Sequence, residues 1–278
     1  MTDMIATIVA RATMIAYPEL LPQLTAELAE HGLRPVLMMT ESEHGVDEAL
    51  LDAMTMQVRG IVAAARPRED VIARLRSDGP PLLLYNCAAP EIDSVSCDHE
   101  ACGRTLARAL LDGGHRRFGL IASPEDSLVG VERIRGAVSL LRSDKALAIE
   151  IEPGDYTYDS GYAAVDALFS RMKPKPSAII AANDAMAMGA LDRARELRIR
   201  IPRDLSIVGI DGTAAAQLPG YRITTVTQPV DRMSAVAVET LLARLADPAR
   251  EAEARLFAGA LQVGDTARLV RPRRAADA

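Results

Sequence analysis

The sequence predicts an α/β protein made of two doubly wound, parallel-sheet lobes. Three observations carry that expectation. Apolar runs of strand length alternate with longer amphipathic stretches almost from end to end of the 278 residues. The runs are apolar throughout rather than alternating with polar residues, as strands of a parallel sheet covered on both faces must be. The strand–helix units are also too many for one open sheet of usual size, so two similar lobes are the economical arrangement.

The elements follow in order. "MIATIVA" (4–10) reads as the first strand, and a helical pattern from Pro18 is stopped by His31-Gly32. "RPVLMM" (34–39), a helix around Val46–Val58, "GIVAAA" (60–65), a helix over 68–78 and "PLLLYN" (81–86) come next. "DSVSC" (93–97) leads into a helix over 99–112 that ends at Gly113-Gly114. The second half repeats the alternation: "RRFGLIA" (116–122), a helix near 130–143, "LAIEIE" (147–152) and a helix from Ser160 to about Met172. "SAIIAA" (177–182) feeds a helix over 184–198, followed by "DLSIVGID" (204–211) and "YRITTVTQP" (221–229). A long helix over Val230–Leu245 stops before Asp247-Pro248, and a last extended piece covers about 254–263.

Composition excludes several functions. A net charge of −6 argues against this chain being a nucleic-acid binder by itself, because a DNA surface needs clustered Lys and Arg to displace counterions. "RPRR" (271–274) reads as part of a solvated tail. No apolar run approaches the roughly 18 residues that span a bilayer. "MTDMIATIVARAT" carries no basic segment ahead of its apolar stretch, so a cytoplasmic location is expected. Three cysteines suit a reducing compartment better than a disulfide framework. Cys97, His99 and Cys102, with Cys87 one strand earlier, could be drawn together as a zinc site. Without a CxxC knuckle, core cysteines are the simpler reading, and no metal or cofactor is expected. Walker A, GxGxxG, GxSxG and HExxH signatures are absent from the sequence, so no enzyme is expected.

Ligands of open α/β sheets bind beyond the carboxyl ends of the strands, so the residues just after each strand are the ones to inspect. Arg11, Asn86, Asp98, Asn183, Asp211 and Gln228 stand there. Each alone could be a helix cap or a turn former. As a set they offer donors and acceptors without a nucleophile–base pair, which suits reversible binding of a polyhydroxylated or charged small molecule.

"SAIIAANDAMAMGALDRARELRIRIPRDLSIVGIDG", with "GHRRFGLIASP" (114–124), "ERIRGA" (132–137), "GDYTYDSGYAA" (154–164) and "ITTVTQPVDRMSAVAVETLL" (223–242), resembles the effector-binding core of the LacI/GalR family of bacterial transcriptional regulators. That core has the fold of type I periplasmic binding proteins, and the resemblance runs over nearly the whole chain. It implies two lobes joined by three crossovers, near Ala122–Pro124, Gln228 and Glu251–Ala254. The lobes would be 1–122 plus 229–252 and 124–227 plus 254–270, with 271–278 as a tail. It further implies a homodimer, with a surface on the first helices around Leu21–Leu28 and Met54–Val58.

Residue by residue, the resemblance makes Arg133 of "RIRG" the ligand-gripping arginine. Asn183 becomes the ligand amide, Asp211 the strand-end carboxylate, Gln228 the hinge-side contact and Tyr156 the stacking aromatic. Arg11, Tyr17 and Asn86 complete the expected effector set, and Asp184 is left as a helix cap. Arg11 stands where the family commonly has Asp, "TMIAY" (13–17) replaces an Asn-Pro-Phe-Phe-like turn, and Cys87 replaces a common arginine. Arg11 and Arg133 together point toward an acidic form of a sugar-like effector, since bidentate arginine suits carboxylate and phosphate. The family's helix-turn-helix domain does not precede "TDMIATIV", so the expectation is a regulator core cut from a longer chain. In such a repressor, effector-coupled closure of the inter-lobe cleft would act allosterically on operator binding by that domain. Two rivals are a solute-binding protein of a transport or chemosensory system and a hydrolase using His99 or Ser123.

Overall fold

A computed structural model describes residues 2–270 of the chain. The first half runs β1 (Met4–Ala10), α1 (Arg11–Ala16), α2 (Leu20–Glu30), β2 (Arg34–Thr40), α3 (Val46–Thr55), β3 (Gly60–Ala63), α4 (Glu69–Asp78), β4 (Leu82–Tyr85) and β5 (Asp93–Cys97). It continues with α5 (His99–Asp112), β6 (Arg117–Ile121), α6 (Leu128–Leu141), β7 (Ala148–Glu152), α7 (Tyr158–Arg171), β8 (Ala178–Ala181) and α8 (Asp184–Glu196). The last part holds β9 (Ser206–Asp211), β10 (Thr224–Thr227), α9 (Val230–Ala246), β11 (Ala254–Phe257) and β12 (Ala260–Gln262). The stretch at 11–16, expected as strand end and turn, is a short helix instead.

The strands form two six-stranded sheets of matching order, β11-β5-β4-β3-β1-β2 and β12-β10-β9-β8-β6-β7. Every neighbouring pair is parallel except β10–β12. Each sheet winds outward in both directions from its first strand, so its switch point falls between β1 and β3 or between β6 and β8.

The core follows from the apolar runs. In the first unit, Ile5, Ile8, Ile61, Leu83 and Leu84 are fully buried, and α2 lays Leu20, Leu24 and Leu28 along one stripe. In the second, Phe118, Leu120, Ile179 and Ile207 fill the sheet, and α8 packs through Met186, Ala187, Ala190 and Ala194. Helices α5 and α6 cross at glycines: a Cβ at Gly103 would run into the Arg133 carbonyl oxygen, and one at Gly136 into that of Glu100.

Two lobe boundaries differ from those expected. The first unit ends at Asp98, and α5 and β6 belong to the second, so the chain first changes unit at Asp98–His99 rather than near Ala122–Pro124. A stretch at Glu125–Val129 returns to the first unit. The last passage falls at Gly259–Ala260, not at Glu251–Ala254, because the final extended piece divides: β11 pairs with β5, and β12 with β10. An apolar run shows strand character, but which sheet edge it joins depends on partners far along the chain. Beyond β12, Thr266 donates to the Ile207 carbonyl at 2.6 Å and accepts the Thr224 N–H at 2.9 Å, tying the end of the second unit to β9 and β10. The tail expected at 271–278 lies outside the described residues.

The dimer surface expected around Leu21–Leu28 and Met54–Val58 holds both core and exposed residues. Leu24, Leu28 and Val58 are core residues, whereas Met56 is 39% exposed. On edge strand β2, Leu37 and Met39 are 51% and 59% exposed. No described helix is long and apolar enough to cross a membrane.

Candidate functional site

The carboxyl edge of the second sheet gathers four of the expected site residues. Arg133 projects from α6, which follows β6; Tyr156 follows β7, Asn183 follows β8, and Asp211 ends β9. Arg133 and Asp211 are 3% and 1% exposed. The Arg133 Nη2 donates to Asp211 Oδ1 at 2.7 Å, and its Nη1 donates to the Ala182 carbonyl at 2.8 Å. Its Nε points at His99 Nδ1 at 3.4 Å. Burial works against the guanidinium charge, and the Asp211 carboxylate overcomes that penalty, holding Arg133 above its ordinary value.

Positive φ values occur at the same edge, as they do at Gln57, Glu91, Arg198 and Arg222 elsewhere. Tyr156 has φ 70°, Asp211 has φ 128°, and Gly212 follows at φ 76°. For non-glycine residues each such conformation costs on the order of 1–3 kcal/mol, and strain of this kind gathers at ligand-binding sites. On the first unit Asn86, just past β4, has φ 62°, a value an asparagine adopts more readily.

Of the two adjacent polar residues after β8, Asn183 and not Asp184 caps the helix. Asn183 is the N-cap of α8: its Oδ1 accepts the Met186 N–H at 2.9 Å, worth roughly 1 kcal/mol, and its Nδ2 donates to the Tyr156 carbonyl at 3.0 Å. Asp184 is no cap. Fully buried, it accepts the Thr213 N–H at 2.8 Å, the Thr213 hydroxyl at 3.3 Å and the Thr225 hydroxyl at 2.7 Å. Burial pushes its carboxyl up to about 7, the Asp211 charge pushes the same way, and the Thr225, Thr213 and Gly212 hydrogen bonds pull it back. Neither threonine was singled out from the sequence; the available signal was their place immediately after "DG" (211–212) and within "TTVT" (224–227).

On the first unit Asn86 and Gln228 are buried. Asn86 sits where β4 ends, its N–H donating to the Val95 carbonyl at 2.8 Å. Tyr17 is buried too, lining an apolar void of about 10 Å³ with Leu20, Leu24 and Tyr85, as a core residue would. Arg11 is 59% exposed and pairs with Glu41 at 3.3 Å. Both arginines behind the expectation of an acidic effector have a carboxylate partner, buried for Arg133 and solvent-exposed for Arg11.

The catalytic rival finds little support. His99 is buried against Arg133, and the Ser123 hydroxyl donates to the neighbouring Pro124 carbonyl at 3.2 Å. The three cysteines are buried, and no three His, Cys, Asp or Glu side chains gather as metal ligands among the described residues. A groove of about 880 Å³ opens at the amino-terminal edge of β4 and β5. Of its charges, Arg244 pairs with Asp93 at 2.7 Å, and Arg76 with Glu91.

Comparison with known proteins places this geometry. The profile of the periplasmic binding protein-like domain matches residues 107–267, well over half of the chain. The HTH-type transcriptional regulator CelR of Thermobifida fusca is 30% identical over 230 residues, spanning 78% of this chain and 66% of its own length. MalR of Streptomyces coelicolor is 30% identical over 242 residues, 81% of this chain and 69% of that protein. The repressor CytR of Escherichia coli K12 is 28% identical over 222 residues, 77% of this chain and 64% of its own. The chain thus spans about two thirds of the length of these relatives. Among solved structures, a CelR–cellobiose complex matches with TM-score 0.81 and 27% identity over 95% of this chain and 84% of that one. A LacI transcriptional regulator from Rhodococcus shares the fold with TM-score 0.83 at 23% identity, over 96% of this chain and 99% of that one.

Proposed function

The chain belongs to the LacI family of transcriptional regulators with a periplasmic-binding-protein-like core, and from that premise we propose that it is the effector-sensing part of a cytoplasmic repressor. The observation that carries the site is the buried Arg133–Asp211 pair at a strained carboxyl edge of a parallel sheet. Such a pair presents donors and acceptors in fixed directions with its net charge cancelled, which favours a neutral polyhydroxylated molecule over an anion. CelR, the 27% identical relative solved with cellobiose, supports the same ligand class. Tyr156 and Asn183 border the pair; on the first unit, Asn86 and Gln228 are the candidates for effector contact.

An effector that binds one conformation of the core more tightly shifts the population by its differential affinity alone. That shift would be read out by a helix-turn-helix domain making the operator contacts. A solute-binding role is the second reading; the regulators among the relatives favour the first. No catalytic step is assigned.

A thermal-shift panel tests the ligand class. Neutral saccharides, cellobiose among them, are expected to raise the unfolding midpoint, by the equivalent of about 2.7 kcal/mol at a hundredfold excess over Kd. Sugar acids and sugar phosphates are expected to leave it unchanged. Stabilisation by the anions alone would reverse the assignment.

The core is expected to dimerise through the exposed face of β2, where Leu37 and Met39 stand two residues apart on one side of an edge strand. A Leu37→Glu/Met39→Lys variant should run as a monomer in light scattering while the unaltered protein runs as a dimer. A dimeric variant would move the interface elsewhere.

A further inference from the structure

Asp184 ties together three elements that meet at the proposed site. It opens α8, accepts from the Thr213 amide and hydroxyl just after β9, and accepts from the Thr225 hydroxyl on β10. Immediately before Thr213 lie Asp211 and Gly212, the pair with successive positive φ values. Thr213, at the far end of that turn, is fastened by its amide to Asp184. Room for the fastening is built into β9: a Cβ at Gly209 would collide with Asp184 Oδ1. Asp184 itself touches neither Arg133 nor a face open to solvent.

We propose that Asp184 is a positioning residue for the effector site: by pinning the Asp211–Thr213 turn to β10, it sets where the Asp211 carboxylate meets Arg133, and its protonation state tunes that setting. The assignment rests on the reading of Arg133 and Asp211 as effector-binding groups.

The charged neighbours fix how Asp184 responds to pH. Asp211 on β9 opposes its ionisation, with Arg133 of α6 behind Asp211 and His99 of α5 behind Arg133. From α7, Asp166 and Tyr162 engage Arg193 and Glu196, and Tyr158 engages Asp192, farther along α8. β10 brings the Thr225 hydroxyl to Asp184, and the turn after β9 brings the Thr213 amide and hydroxyl and the Gly212 amide, all of them uncharged. Its carboxyl, pushed up to about 7, therefore changes charge within the neutral range. The ionised form is the stronger acceptor for the Thr213 amide.

A double-mutant cycle tests the assignment without an effector. Asp184→Asn keeps one acceptor and one donor for Thr213 and Thr225. In urea unfolding, Asp184→Asn and Arg133→Met are expected to couple, their joint effect on the unfolding constant departing about tenfold from the product of the single effects. Additive effects would overturn the proposal, since the two side chains would then act independently. Should a variant not fold, hydrogen exchange on the unaltered protein decides. Protection of the Thr213 amide, corrected for intrinsic rate, is expected to fall as pH drops from 8 through about 7 to 6; a flat profile refutes the tuning. Titration with cellobiose is the separate arm: coupling without cellobiose binding rejects that ligand and leaves Asp184's role standing, whereas binding without coupling does the reverse.

Discussion

Replacing Arg133 with methionine should destabilise the protein by about 3–5 kcal/mol, the usual cost of removing one partner of a buried ion pair. The side chain keeps its bulk, so the loss would come from charge. Asp211, at 1% exposure, would be left without the guanidinium that neutralises it, and the Ala182 carbonyl would lose its donor. Urea unfolding at pH 7 measures the cost. A companion variant, Arg133→Met/Asp211→Leu, should recover much of the stability, because an apolar pair of similar volume carries no desolvated charge. Neither variant should be stabilised by a saccharide that stabilises the parent. A single variant within about 1 kcal/mol of the parent would show that water reaches the pair, against its burial.

A Gly103→Val substitution should be comparably severe for a different reason. Helices α5 and α6 approach so closely that a Cβ at Gly103 meets the Arg133 carbonyl oxygen and the Ala137 amide, both backbone atoms that no rotamer change can move aside. Overpacking a close crossing costs about 1–3 kcal/mol and more where backbone must shift, so a fall of ~3 kcal/mol is expected. Gly136→Ala, meeting the Glu100 carbonyl from the other helix, should cost a similar amount, and the two changes together should cost less than their sum. The thermal unfolding midpoint follows each. A Gly103→Val protein as stable as the parent would refute the tight crossing. The crossing bears on the site as well, since it fixes the height at which α6 delivers Arg133.

Much of this was legible residue by residue. The apolar runs located the strands because a parallel sheet covered on both faces tolerates little else, and Gly113-Gly114 and Asp247-Pro248 marked helix ends by their own backbone preferences. Arg133 and Asp211 were picked out as site residues by their motifs. The sequence carried no sign that they bind each other, because α6 and β9 bring them together across 78 positions. The acidic-effector expectation rests on two arginines counted singly; their carboxylate partners, Asp211 and Glu41, come only with the tertiary structure. The lobe boundaries failed at β6 and at 254–263, where strand character was right and sheet membership was not.

The adjacent Asn183 and Asp184 show where the division lies. By itself the sequence determined that a strand ends at Ala181, that a helix starts within the next three residues, and that one of two polar side chains would cap it. Both residue types cap well, so nothing local separates them. The tertiary structure decided, by bringing Thr213 and Thr225, 29 and 41 positions away, to one side of Asp184 and leaving the Met186 amide to Asn183. Local pattern sets what a residue can do; long-range hydrogen bonding in a buried site, where every polar atom must find a partner, selects which of those things it does.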